Sequence, residues 1–175
     1  MVIMNKENIL YTCCFFGHRK VPEATEIKNR IYEVVEKLII NKNVSIFLFG
    51  SKSEFDDLCY KAVTELKEKY PHIKRIYVRA EFQHINDSFK KRLLEKYEDT
   101  YYPKHIENSG KASYVERNQE MINNANYCII YYNKSYIPTK RKNSKRDLTE
   151  YQPKSGTRIA YDFAVKKKKE IVNLY

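Results

Sequence analysis

The sequence has little of what would place it outside the globular classes. Four glycines and five prolines are too few for a collagen-like or low-complexity chain. No stretch approaches the roughly 18 to 20 consecutive apolar residues of a membrane span, so no membrane contact is expected. Met1–Asn8 is polar and lacks the apolar run and small-residue cleavage site of a signal peptide, which makes the cytoplasm the expected compartment. Cys13, Cys14, Cys59 and Cys128 lie in apolar runs without ligand-like spacing, as buried free thiols of a reducing compartment do. His18, His72, His84 and His105 form no H-x-x-x-H pair, so no metal site is expected.

What is present is a chain of 175 residues, 42% hydrophobic and 31% charged, enough for one domain over residues 1–175 with a packed core. Lys and Arg outnumber Asp and Glu by 33 to 22, a formal charge of +11. A charge of that size suits a nucleic-acid binder, but it is unevenly placed. Asn133–Lys169 holds 12 basic and three acidic residues, a net of +9, which leaves +2 for the rest of the chain. The charge is better read as a positive rim beside a ligand site, which attracts small anions. Nucleic acid is then the less favoured partner, and homo-oligomerisation stays open.

Short, nearly continuous apolar runs at Ile9–Phe16, Val44–Phe49, Ile73–Val78, Tyr127–Tyr132 and Glu170–Leu174 have the pattern of parallel strands covered on both faces. Amphipathic helical spacing lies between them, at Ala24–Leu38, Phe55–Leu66, Lys111–Asn123 and Ile159–Ala164. This alternation predicts an α/β fold, a Rossmann-like three-layer sandwich around a mostly parallel sheet of five strands or slightly more. Ile85–Lys96 is expected to be a further helix followed by an aromatic loop, Tyr97–Pro103. Asn133–Pro153 is expected to be a long basic loop insertion.

Three glycines fall at the ends of strands or the start of a helix: Gly17 in Phe-Gly-His-Arg, Gly50 in Phe-Gly-Ser-Lys-Ser, and Gly156 in Lys-Ser-Gly-Thr-Arg. Such positions permit positive φ and close ligand approach, and the next helix offers unpaired N–H groups to a phosphate. Each glycine alone serves equally well as a tight turn. His18, Arg19, Ser51, Ser53 and Asp56 are placed at the same edge, with Arg117 and Asn118 on the helix 111–123 and Ser155 and Thr157 beside Gly156. Asp56 either satisfies donors at a helix start or accepts a ribose hydroxyl.

These motifs resemble the YpsA-like branch of the SLOG superfamily, which also contains the LOG phosphoribohydrolases and the DNA-processing protein DprA. Cys13-Cys-Phe-Phe-Gly-His-Arg19 resembles its C-C-F-x-G-H-R opening. Gly50-Ser-Lys-Ser-Glu-Phe-Asp56 with Glu65-Leu-Lys-Glu-Lys-Tyr-Pro71 is similar to its G-x-x-G-x-F-D … E-L-K-x-x-Y-P stretch. Tyr114–Met121 resembles its R-N helix and Ser155-Gly-Thr157 its nucleotide loop. The resemblance implies a nucleotide-derived ligand such as NAD or ADP-ribose, held as a sensor or processing module by Gly17, His18, Arg19, Gly50, Ser51, Ser53, Asp56, Arg117, Asn118, Ser155, Gly156 and Thr157. Ser53 stands where the branch has a second glycine. Arg117 matches the LOG arginine, but the position of the LOG glutamate is Ala160, so hydrolysis of a nucleoside monophosphate by the LOG mechanism is the lesser expectation. Single-stranded DNA binding, as in DprA, is the other alternative.

Overall fold

The computed structural model describes residues 10–106, 110–138 and 154–175. The chain alternates β1 (Tyr11–Gly17), α1 (Ala24–Lys42), β2 (Val44–Phe49), α2 (Glu54–Lys69), β3 (Lys74–Val78), α3 (Asp87–Leu94), β4 (Asp99–Tyr101), α4 (Lys111–Asn124), β5 (Tyr127–Tyr131), α5 (Gly156–Lys166) and β6 (Glu170–Asn173). All strand pairs are parallel, in the order β4-β3-β2-β1-β5-β6. The chain runs outward from β1 to β4, then returns to place β5 on the other side of β1. That reversal puts the switch point of the sheet at the C-terminal ends of β1 and β5, the place where open α/β sheets bind ligands.

The apolar strand runs are explained by burial on both faces. Successive residues of β1 point to opposite sides, and Cys13 joins one core while Cys14 joins the other. The first core lies under α1 and α2. It is built on Phe15, Phe47, Phe49 and Phe55, with the Phe15 and Phe49 rings 5.0 Å apart. The second lies under α4 and α5 and contains Met121, Ile122, Ala160 and Ala164. Each fully buried Ile or Phe contributes roughly 1.5–3 kcal/mol through apolar area removed from water. The four cysteines are free and buried. Among the described residues no helix is long and apolar enough to cross a membrane.

The expected aromatic loop at Tyr97–Pro103 is partly a strand. Asp99–Tyr101 pairs in parallel with β3, Ile76 opposite Asp99 and Val78 opposite Tyr101. Its polar, three-residue sequence carries no strand pattern. Pairing is set from outside it, by Arg75, which donates from Nη2 to Glu98 Oε1 at 2.8 Å, and by Tyr97, whose ring meets those of Tyr60 and Tyr77 at 5.2 Å each. The preceding helix is shorter than the expected Ile85–Lys96, because Asn86 caps it by accepting from the Phe89 N–H at 2.8 Å. Residues 139–153, most of the expected basic loop, and Ile9 lie outside the described residues.

Candidate functional site

Arg117 is the centre of the polar cluster at the C-terminal edge. α4 carries it beneath the end of β2, and it is only 3% exposed. Its Nη1 donates to the Gly50 carbonyl and, at 3.3 Å, to the Val78 carbonyl. Its Nε donates to Asn118 Oδ1 at 2.8 Å, so Asn118 holds the guanidinium in plane. The Tyr114 ring lies 5.6 Å from the guanidinium carbon. No carboxylate comes within 4.0 Å among the described residues, and Nη2 makes no hydrogen bond among them. A buried cation held by carbonyls alone has spare donors and spare charge, which suits an anion.

Asp56 lies nearby in the first turn of α2. Ser53, the N-cap, accepts from the Asp56 N–H at 3.1 Å and donates its hydroxyl to Asp56 Oδ2 at 2.6 Å. The cap is therefore Ser53, and the carboxylate is its acceptor. Asp56 Oδ1 is buried with no partner among the described residues. Burial pushes the Asp56 carboxyl up to about 6, against the lowering effects of the Ser53 and Ser51 hydroxyls and of Arg117. The Ser51, Lys52 and Ser53 N–H groups take no part in any hydrogen bond among the described residues. They line the loop into α2, at the positive end of its dipole.

The three glycines do not use the positive φ open to them. Neither Gly17, Gly50 nor Gly156 has positive φ; among the described residues Gly110 is the glycine that does. At Gly17 a Cβ would collide with the Phe55 side chain, so the core needs the space that this glycine leaves. At Gly50 a Cβ would lie 2.6 Å from Arg117 Nη1, so that glycine makes room for the buried guanidinium. Gly156 has open space around it.

His18 is committed to the fold. Its Nε2 accepts from the Asn133 N–H at 2.9 Å, its own N–H donates to the Tyr131 carbonyl at 3.3 Å, and the Tyr136 ring packs 4.5 Å away. Burial lowers its pKa, in keeping with a neutral acceptor. Arg19 is exposed, and its carbonyl accepts from the Glu54 N–H at 3.1 Å. The Ser155–Thr157 turn begins α5, with Ser155 capping it through the Arg158 N–H at 3.1 Å. That turn shares no hydrogen bond or ion pair with Arg117, Gly50 or Asp56 among the described residues. Ala160 is buried in the second core.

Sequence reading missed the exit of β3. Arg79 Nη1 donates to the carbonyls of Phe82 at 2.7 Å and Gln83 at 3.3 Å, while its Nε is buried without a hydrogen-bond partner among the described residues. The Tyr114 hydroxyl donates to the Glu81 carboxylate. Phe82 has φ 59°, a left-handed backbone that costs about 1–3 kcal/mol for a bulky residue, and its side chain is 68% exposed. The position of these residues directly after a strand was the available signal. A cavity of about 300 Å³ lies at the opposite edge, lined by Leu10, Asn43, Ser45, Ile46, His72 and Lys74, and touches none of the cluster. Its lining brings no carboxylate, arginine or glycine loop together, so the chemistry places the candidate site at the C-terminal edge.

A family model described as the YspA SLOG family (YpsA) matches residues 11–164. No curated protein matches the chain.

Proposed function

The chain belongs to the YpsA SLOG family, a membership that points to a nucleotide-related function, and from it we propose that the protein binds a phosphorylated nucleotide derivative of the NAD or ADP-ribose type. The observation that supports this best is Arg117, a buried arginine that, among the described residues, has no carboxylate partner and lies beside a loop of N–H groups without acceptors. In this reading Arg117 Nη2 and the Ser51–Ser53 N–H groups receive a phosphate, and the unpartnered Asp56 Oδ1 accepts a ribose hydroxyl. Arg19 contributes long-range attraction at the rim. The Ser155–Thr157 turn contributes a second set of helix-start donors to a ligand long enough to span the crevice between β1 and β5. Calorimetric titration with NAD, ADP-ribose, AMP and cyclic nucleotides tests the proposal. Binding of one or more is expected, and absence of heat from all of them at millimolar concentration contradicts it.

A second reading rests on the Asp56 carboxyl, raised to about 6 at the same edge, where it suits proton transfer near neutral pH. Asp56 would then protonate the leaving base of a nucleoside monophosphate as the N-glycosidic bond breaks, and water would add at C1′ to give ribose 5-phosphate, its proton restoring the Asp56 carboxyl. That reading requires release of free base from AMP by the wild-type protein and its loss in Asp56→Asn. Intact AMP after prolonged incubation at high protein concentration rules it out.

A further inference from the structure

The most exposed aromatic ring near the cluster is Phe82, and three observations set it apart from an incidental surface residue. Its backbone is held in the left-handed region, where Phe is disfavoured. Arg79 fixes that conformation through the carbonyls of Phe82 and Gln83, a use of a guanidinium that leaves its Nε buried and without a hydrogen-bond partner among the described residues. The neighbouring Glu81 is tied to Tyr114, the ring that also faces the Arg117 guanidinium. The loop is thereby fastened at both ends, to the end of β3 and to the Arg117 cluster, with an apolar ring left in solvent between them. A ring in that place costs the fold strain and exposed apolar area, and no core contact among the described residues repays it.

We propose that Phe82 is the base-stacking platform of the nucleotide site, with Arg79 and the Glu81–Tyr114 bond as its positioning elements. The inference rests on the reading of the Arg117 cluster as a phosphate and ribose site. In this reading the base of a ligand with its phosphate on Arg117 and its ribose on Asp56 leaves the cluster by the β3 exit loop, which is tied to that cluster through Tyr114. The face of a purine or nicotinamide ring stacks on a phenyl ring with little regard to base identity, so the subsite selects for the presence of a flat base. Tyr114, 39% exposed, supplies a second aromatic surface beside it.

The test is calorimetric titration of AMP and of ribose 5-phosphate, which differ by the base alone, into wild type, Phe82→Ala and Phe82→Tyr. Wild type is expected to prefer AMP by about tenfold or more. Phe82→Ala should bring AMP down to the level of ribose 5-phosphate without weakening ribose 5-phosphate, and Phe82→Tyr should retain the preference. The proposal is overturned if Phe82→Ala keeps the preference for AMP, or weakens both ligands equally. If wild type binds the two ligands with equal affinity, the phosphate and ribose site stands and the base platform does not. If it binds neither, the base platform is overturned, and the phosphate and ribose site stands or falls by the NAD and ADP-ribose titrations.

Discussion

A methyl group added at Gly50 would sit 2.6 Å from Arg117 Nη1 and 2.9 Å from its Cδ, so the buried guanidinium would have to move and strain its bond to the Gly50 carbonyl. Gly50→Ala is therefore expected to lower stability by about 1–3 kcal/mol in urea denaturation and to displace the guanidinium. Gly156→Ala serves as its control. Nothing lies within 4 Å of a Cβ there, and stability should be unchanged or rise by less than about 1 kcal/mol. Asp56 gives a pH signature. Its carboxyl titrates near 6 in the native state against an ordinary 3.8, so between those values the folded protein holds a proton that the unfolded chain has released. Stability from this group falls as pH rises through that window and is lowest above it. Asp56→Asn removes the ionisation. The variant should be more stable than wild type at pH 7, by on the order of 2–3 kcal/mol, with the gap narrowing as the pH falls toward 4. A less stable variant at pH 7 would show that Arg117 depends on the charge of Asp56.

At the scale of elements, the edge strand β4 depends on one side chain more than on its own sequence. Glu98 accepts from the Arg75 backbone N–H at 2.6 Å and from its Nε at 3.2 Å, and its own N–H donates to the Arg75 carbonyl at 2.9 Å. Glu98→Ala should speed amide hydrogen exchange at Thr100 and Tyr101 while leaving β1 and β5 protected; unchanged exchange would place the anchor in Tyr97 instead. This dependence explains what could be read in advance. The central strands and the helices α1, α2, α4 and α5 were legible because burial on two faces or one writes itself into apolar spacing, as in Ile27, Ile31, Val35 and Leu38. β4 was not, because its pairing is imposed by Arg75 and Tyr97 from elsewhere in the chain. The site divides the same way. Gly50, Ser53, Asp56 and Arg117 were visible as local motifs, although which glycine served the core and which served Arg117 depended on Phe55 and on α4. Phe82 and Arg79 were not visible, since an exposed ring and a carbonyl-bound arginine acquire meaning only from the backbone conformation between them.

For the whole molecule, the family and the parallel sheet support our placing of ligand chemistry at the edge shared by the ends of β1, β2, β3 and β5. The net charge of +11 is consistent with an anionic ligand, yet most of it lies in Asn133–Lys169, outside the Arg117 cluster. Raising salt should accordingly slow capture of a small nucleotide more than it weakens the bound complex, whose central cation is buried. The account depends on that cation. Titration of ADP-ribose into wild type and into Arg117→Met, a variant that keeps the bulk of the side chain and removes its charge and donors, tests it directly. Binding to wild type and a loss of about tenfold or more in Arg117→Met are predicted. Equal affinity in the two proteins would contradict the account.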